Sequence, residues 1–175
     1  YYSEEISKLA SRYDMDVSQV LSELKATYDG YHFSRKLQNV YNPFSVLNAL
    51  SRSQLNSYWI ATGSNEILNN LSKKYVDEIP SLDGCLIDAD YLEMSDVNMD
   101  EPKLFLYQSG YLTIKAVRGD YYILGYPNKE VKKAMFEMVL PMMTNKSSSE
   151  VNTLIQKLKL NLCIGNVDEA MLCLK

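Results

Sequence analysis

Five short segments, each combining a turn former or helix cap with aromatic side chains, constrain this chain more than any other feature. In chain order they are YDGYHF (28–33), YNPFS (41–45), YWIATG (58–63), QSGYLT (108–113) and YPNKEV (126–131). Glycine permits a left-handed backbone, asparagine caps helices, and an aromatic ring packs beside the turn. These five aromatic motifs predict a fold whose connections are fixed by aromatic packing. None of them is a catalytic constellation.

The first 52 residues predict three helices. Ser3 and Asp16 are the expected caps of the first two, and the second ends near Gly30 with a left-handed backbone that directs Tyr31 and Phe33 into the helical core. Asn42 followed by Pro43 predicts the start of the third. The expected inward positions are Ile6, Leu9, Ala10, Tyr13, Val17, Val20, Leu21, Leu24, Tyr28, Phe44, Leu47 and Leu50.

The pattern is weaker between residues 53 and 100. Thr62 or Ser64 predicts the cap of a fourth helix, and Trp59 just before it is interpreted as a core anchor. Residues 80–84 favour a short helical turn, and residues 85–92 an extended segment.

From residue 100 the periodicity changes. Pro102 and Gly110 bound a predicted helix, and the alternation over 111–117 predicts a hairpin with a two-residue turn at 119–120. In that register Ala116 lies opposite Ile123. Helix, hairpin and helix in this order are typical of the end of a winged-helix arrangement.

The remaining chain predicts three more helical segments. Asn128 is the expected cap of a helix that Pro141 stops, and residues 144–149 are predicted to be a loop. An amphipathic helix follows from Val151, and a last one begins near Asp168. The predicted fold class is therefore mainly α with a small β-hairpin.

Charge and cysteine content limit the function classes. A net charge of −4 argues against polyanion binding as the main role, because phosphate affinity depends on concentrated basic residues. Three cysteines without close spacing favour a reducing compartment, for which we predict the cytoplasm. No apolar run approaches the ~20 residues of a membrane span. The opening and closing sequence patterns lead us to expect a piece of a longer protein.

The five aromatic motifs, in this order and spacing, resemble those of the AAA-ATPase-like family of bacterial multidomain proteins. The resemblance covers essentially all 175 residues. It implies a parent with a P-loop ATPase-like domain, a helical and winged-helix-like middle, and a PD-(D/E)XK nuclease-like domain, of which this chain is the middle. The implied division is a helical lid-like subdomain over 1–95, a winged-helix-like subdomain over 96–143 and the start of a C-terminal helical segment over 144–175.

The family's chemistry does not transfer to this sequence. It contains no G-x-x-x-x-G-K-[ST] phosphate loop and no nuclease-like carboxylate and lysine set. We therefore predict no catalytic, cofactor-binding or metal-binding residue in this chain. ATP and Mg²⁺ are expected only where the parent's P-loop domain is present. The leading hypothesis is a noncatalytic lid, coupling or partner-binding region that contacts the parent's N- and C-terminal domains and possible protein partners.

The predicted interdomain contact lies in and just after the YDGYHF motif, at Tyr28, Asp29, Tyr31, His32 and Arg35. His32 has two interpretations. It either faces the nucleotide domain and senses phosphate, or it is a hydrogen-bonded loop histidine that braces the turn.

Two alternative functions remain open at this point. One is a nucleic-acid-binding winged helix. This hypothesis is weaker because the helix that would read the bases carries Leu104, Phe105 and Leu106, with Lys103 as its only basic residue. The other is a protein-interaction scaffold.

A run of acidic residues is interpreted as a solvated face rather than a cation site; its members are Asp83, Asp88, Asp90, Glu93, Asp96, Asp100 and Glu101.

Overall fold

A computed structural model describes residues 2–59, 75–94 and 101–173. Over these residues the chain is mainly helical with one small antiparallel sheet, which confirms the predicted fold class. In chain order the elements are α1 (Ser3–Tyr13), α2 (Val17–Tyr28), α3 (Pro43–Arg52), a 3₁₀ turn (Ile79–Leu82), β1 (Leu86–Asp88), α4 (Ala89–Met94), α5 (Pro102–Gln108), β2 (Thr113–Arg118), β3 (Tyr121–Gly125), α6 (Lys129–Thr144), α7 (Ser148–Cys163) and α8 (Val167–Leu172). The predicted fourth helix, capped by Thr62 or Ser64, falls outside the described residues.

Local capping determines where most helices begin. Asp16 caps α2 by accepting from the backbone of Gln19, whose side chain in turn accepts from the backbone of Asp16, both at 2.8 Å. The predicted caps Asn42 and Asn128 also accept from the third residue of their helices. The predicted cap Ser3 is wrong: it lies inside the first turn, after Tyr2, which makes no side-chain capping bond.

The first hydrophobic cluster is formed by α1, α2, α3 and the segment that follows them. Its buried members are Leu9, Val20, Leu24, Tyr28, Ala49, Leu50 and Tyr58. The predicted face of α3 is largely wrong, because Phe44 and Leu47 are exposed while Ser45 and Ala49 are fully buried. The buried stripe of α3 is therefore Ser45, Ala49 and Leu50, and Phe44 and Leu47 lie on its solvent side. The prediction that Val17 and Leu21 of α2 face inward is also wrong, because both are exposed.

The sheet has the order β1-β3-β2 and is antiparallel throughout. The predicted pairing of Ala116 with Ile123 is confirmed. The register shifts between Ile114 and Ala116, so Lys115 forms a bulge and the buried face does not alternate as predicted. The expected extended segment over 85–92 is a strand only at Leu86–Asp88, after which the chain turns into α4.

A second, larger cluster packs around the sheet. It is formed by Tyr31, Ile79, Leu82, Ile87, Ala89, Leu92, Leu104, Phe105, Leu106, Tyr111, Leu112, Ile114, Tyr122, Leu124, Tyr126, Val131, Met135 and Val139. Residues 79–92 therefore pack with the hairpin and α6.

The C-terminal helices continue from α6. Pro141 does not stop α6, which reaches Thr144 and ends at Asn145 with φ +53°. The fixed φ of proline is compatible with a helix, and only one helical hydrogen bond is lost so near its end. Ser147 and Glu150 form a capping box that starts α7. Val151 and Ala170 are the buried residues of α7 and α8.

Candidate functional site

The YDGYHF motif forms the connection that leaves α2. Asp29 follows the helix in an extended conformation, and Gly30 has a φ of +99°, which confirms the predicted left-handed backbone. A side chain at this position would place its Cβ 2.3 Å from the carbonyl oxygen of Pro127. Glycine is thus required both by the positive φ and by the close approach. The contact joins the YDGYHF motif to the YPNKEV motif.

His32 is bound on all sides within the chain. Its backbone N–H donates to Thr113 Oγ1 at 2.7 Å, and the Thr113 hydroxyl donates to the His32 carbonyl at 3.0 Å. The ring nitrogens Nδ1 and Nε2 lie 2.6 Å from the carbonyl oxygen of Ile114 and 2.5 Å from Oδ1 of Asn39. Because both nitrogens are occupied and the side chain is buried, this arrangement favours the bracing interpretation over phosphate sensing.

Tyr28 and Tyr31 are buried in different clusters. Tyr28 belongs to the first cluster, where its hydroxyl donates to the carbonyl of Asn56 at 2.8 Å and accepts from the Asn56 backbone at 3.1 Å. Tyr31 belongs to the second. Burial raises the pKa of Tyr28 and raises the pKa of Tyr31 to about 12. The expectation that Phe33 also points inward is wrong, because its side chain is 70% exposed.

Arg35 lies against the sheet, away from Tyr28. Its Nε donates to the hydroxyl of Tyr122 at 3.0 Å, and its guanidinium stands 5.4 Å from the centre of that ring. The Tyr122 hydroxyl in turn donates to Glu93 at 2.5 Å. Hydrogen bonding to Tyr122 raises the pKa of Arg35. The guanidinium therefore holds the 31–40 loop on β3.

A buried carboxylate that the sequence did not indicate, Glu130, fixes the start of the YWIATG motif. Its Oε1 accepts from the backbone N–H groups of Tyr58 and Trp59 at 2.5 and 2.9 Å. The side chain is only 1% exposed. Glu130 stands in the first turn of α6, where the helix dipole favours an anion. A buried side chain that accepts from two backbone donors at this position therefore joins the two clusters.

Buried polar atoms that lack a partner gather in the same region. Among the residues that the structure describes, they are Asp29 Oδ1, Tyr31 OH, Ser45 Oγ, Asn128 Nδ2 and Glu130 Oε2. The Tyr31 hydroxyl lies beside the side-chain amides of Asn42 and Asn128, although neither contact has full hydrogen-bond geometry. Burial raises the pKa of Tyr31, and the two amides lower it by a smaller amount. Native proteins pair most of their buried polar groups, so these five atoms depart from the usual pattern.

An aromatic cavity of about 350 Å³ opens beside this polar region. It is lined by Tyr31, Phe33, Val40, Tyr41, Asn42, Pro43, Trp59, Gln108, Ser109 and Gly110. Four of the five aromatic motifs supply all of these residues except Val40. The fifth, YPNKEV, does not line the cavity but holds Trp59 through Glu130. Of the predicted contact residues, only Tyr31 reaches the cavity; Tyr28, Asp29, His32 and Arg35 support the surrounding chain.

The floor of the aromatic cavity is a set of packed rings. Trp59 meets Tyr111 edge to face, with ring centres 4.5 Å apart. The Tyr31 and Phe33 rings are nearly parallel, at 14° and 6.2 Å. A Cβ added to Gly110 would lie 3.7 Å from Trp59 and 3.9 Å from Tyr31, so the backbone of the QSGYLT motif packs directly on both rings. Ring faces, amides and hydroxyls line the cavity, and these are the kinds of group that ligand pockets present.

The acidic run does not form a cation site in the part of the chain that the structure describes. No group of three or more histidine, cysteine, aspartate or glutamate side chains comes together there. Asp83 instead pairs with Lys132 at 2.7 Å, Asp88 accepts from the backbone of Tyr91, and Glu93 accepts from Tyr122. Asp96 and Asp100 lie outside the described residues.

Comparison with known proteins gives one distant similarity. No family model matches the sequence, and no solved structure matches it. The chain is similar to the uncharacterised protein in the vnfD 5′ region of Azotobacter chroococcum mcd 1, with 31% identity over 122 residues. The match covers 67% of this chain and 23% of that protein, so the chain spans about a quarter of its relative's length. Across residues 2–59, 75–94 and 101–173, no helix is long and apolar enough to cross a membrane.

Proposed function

We propose that this chain is a noncatalytic coupling or partner-binding region of a longer AAA-ATPase-like protein, and that the aromatic cavity is its binding surface. One observation carries the proposal: residues from four of the five aromatic motifs line a single cavity, and the fifth motif holds its tryptophan in place. Motifs that served only as independent turns would not need to meet. The length of the relative, of which this chain spans 23%, supports a role beside further domains.

The second half of the region is proposed to be winged-helix-like. Its elements follow the order strand, helix, helix, strand, strand, and β1 joins the hairpin at the edge of β3. In this arrangement α5 would be the reading helix of a DNA-binding protein. Its Pro102, Leu104, Phe105 and Leu106 are all buried, however, which favours a structural helix over one that enters a groove.

The proposed location is the cytoplasm. Cys85, Cys163 and Cys173 are free thiols, as a reducing compartment requires. Burial raises the pKa of Cys85, which favours an unreactive thiol there. ATP and Mg²⁺ belong to the P-loop domain of the parent in this proposal, and this region responds to that domain rather than binding nucleotide itself.

The proposal is tested by titration calorimetry with the remaining parts of the parent protein, each produced separately. We expect saturable binding to at least one part and no saturable heat with Mg-ATP alone. Tyr41→Ala, in the cavity wall, should weaken the binding, whereas Tyr121→Ala, similarly exposed on β3, should not. Saturation by Mg-ATP alone, or no binding to any part, would contradict the proposal.

A further inference from the structure

Helices α6, α7 and α8 leave an open apolar groove between them. Its apolar lining, among the described residues, is Leu140, Val151, Leu154, Ile155, Leu158 and Cys173. We propose that this groove binds an amphipathic α-helical segment that follows the chain in its longer parent protein and lies in line with α8. The inference rests on the proposed function for the existence of that parent. It names the occupant and the orientation of one contact with the rest of the parent.

The position of Cys173 shows that α8 lies antiparallel to α7. The two helices pack together and are joined by only three residues, 164–166. Cys173 directly follows α8, and it lines the groove together with Leu158 and Ile155 of α7, which lie well before the end of that helix. The chain therefore turns back at residues 164–166 and runs toward the start of α7.

α8 is too short to cover the apolar face of α7. α7 has 16 residues and is about 24 Å long, whereas α8 has 6 residues and is about 9 Å long. Val151, Leu154, Ile155 and Leu158 follow the i, i+3, i+4, i+7 spacing of one helix face. Val151 is buried, but the other three side chains are only half-buried. The described helices therefore cover this face only in part.

The end of α8 and the charge at the far end of the groove select a helix antiparallel to α7. Cys173 keeps a helical backbone, with φ −68° and ψ −14°, so the chain leaves α8 along the helix axis. A helix in line with α8 would bring its C-terminal end beside Lys146 and the start of α7. A cation and the positive end of a helix dipole both stabilise the negative end of a neighbouring helix. The nearby carboxylate of Glu150 is engaged in the capping box of α7.

The helix period predicts where the parent carries apolar residues. Ala170 is buried and Cys173 lines the groove, so these two positions mark the inward face of α8. The next inward positions fall about four residues after Cys173, at position 177, and again about three or four residues later, at 180 or 181. The amino-acid sequence of the parent tests this directly. Polar residues at all three positions would overturn the inference.

Thiol labelling measures whether the groove is occupied. The compared proteins are the chain alone and the chain extended by the next residues of its parent, about 12, which is enough for three helical turns. Cys173 lines the groove, whereas Cys163 is exposed and is not among the described lining residues. Mass spectrometry follows maleimide labelling of each cysteine. We expect the extension to slow the labelling of Cys173 at least about tenfold and to leave that of Cys163 unchanged.

Matched variants of the extended chain locate the contact. Leu158→Ala shortens a side chain in the groove, whereas Leu160→Ala shortens one on the same helix that is 63% exposed and is not among the described lining residues. Leu158→Ala should speed the labelling of Cys173 by at least about threefold, and Leu160→Ala should not change it. Serine at the inward positions of the extension should abolish the protection, and serine at two outward positions should preserve it. Circular dichroism verifies that each variant is folded.

Three labelling results would overturn the inference. They are unchanged reactivity of Cys173 in the extended chain, equal effects of Leu158→Ala and Leu160→Ala, and protection in the chain alone that increases with protein concentration, which would place a second copy in the groove. If parts of the parent bind in the calorimetric test while the extension leaves Cys173 unprotected, this inference fails and the proposed function stands. If the extension protects Cys173 while no separate part binds, the inference stands and the proposed binding function fails.

Discussion

The close approach of Gly30 to Pro127 gives the sharpest test of how the motifs hold this fold together. Replacement of Gly30 by alanine introduces two costs. A side chain at φ +99° costs about 1–2 kcal/mol of backbone strain. The new Cβ also meets the Pro127 carbonyl oxygen at 2.3 Å, a separation that the structure must relieve by moving one of the two segments.

The second cost has a further consequence at the same oxygen. Lys115 Nζ donates to the Pro127 carbonyl at 2.8 Å, and desolvation in this position lowers the pKa of Lys115. Moving the carbonyl disturbs this charge-assisted bond, which is worth about 1.5–3 kcal/mol, and overpacking costs about 1–3 kcal/mol. Backbone strain and overpacking together should therefore lower the free energy of unfolding of Gly30→Ala by about 2–5 kcal/mol, and loss of the Lys115 bond would add to this.

Gly84 is the matched control. Its φ of +93° is close to that of Gly30, but a Cβ there would meet nothing within 4 Å. Gly84→Ala should thus show the backbone strain alone, about 1–2 kcal/mol. Urea denaturation followed by Trp59 fluorescence and circular dichroism measures both variants. If the two substitutions are equally destabilising, the contact between YDGYHF and YPNKEV contributes nothing and the argument is refuted.

Three further predictions address the buried carboxylate, the buried tyrosines and nucleic acid. Glu130→Ala leaves the backbone N–H groups of Tyr58 and Trp59 without an acceptor and should lower the free energy of unfolding by about 2–4 kcal/mol, measured by urea denaturation. The exposed control Glu137→Ala should lower it by about 0.5 kcal/mol. Equal losses in the two variants would contradict the buried role of Glu130. Burial raises the pKa of Tyr31 to about 12, from a value near 10 in the unfolded chain. The free energy of unfolding that this difference contributes is therefore fully present below pH ~10 and is lost as the pH rises toward 12. The loss is about 1.4 kcal/mol for each unit by which the pKa is raised. Tyr31→Phe should change the free energy of unfolding little at pH 7 and should reduce the loss of stability at alkaline pH, measured by urea denaturation at a series of pH values. If stability falls with pH above 10 as steeply in the variant as in the original chain, the prediction is contradicted. Duplex DNA should bind no more tightly than ~10⁻⁴ M in fluorescence anisotropy at physiological salt, because α5 is buried; tight, sequence-dependent binding would instead favour the nucleic-acid alternative.

Local chemistry is the part of this fold that the sequence predicts well. Asp16, Asn42 and Asn128 cap helices because their side chains reach backbone groups three residues away, and no distant residue is needed. The pairing of Ala116 with Ile123 follows from a two-residue turn in the same way. Such features depend on a few neighbouring residues, so one sequence contains all the information they require.

Orientation and long-range contact are the parts that the sequence could not predict. Phe44 and Leu47 have helical spacing, but which stripe of α3 faces inward depends on how the helix packs against the rest of the first cluster, which the spacing alone does not determine. Glu130 contacts Tyr58 across 72 residues of chain, and no periodicity relates the two positions. The motifs could be recognised one at a time, but their convergence on one cavity required the tertiary structure.

The unpartnered polar atoms bear on whether the motifs serve architecture alone. A motif selected only to stabilise turns should satisfy its buried polar groups, since each unsatisfied group costs about 1–3 kcal/mol. Among the described residues, all five such atoms fall inside three of the motifs: Asp29 and Tyr31 in YDGYHF, Ser45 in YNPFS, Asn128 and Glu130 in YPNKEV. Natural proteins depart from such local stability rules most often at functional sites. Of these five residues Tyr31 lines the aromatic cavity, whereas Asp29, Ser45, Asn128 and Glu130 are not among its described lining residues, so Tyr31 is the one that links the unpartnered atoms to the proposed binding surface.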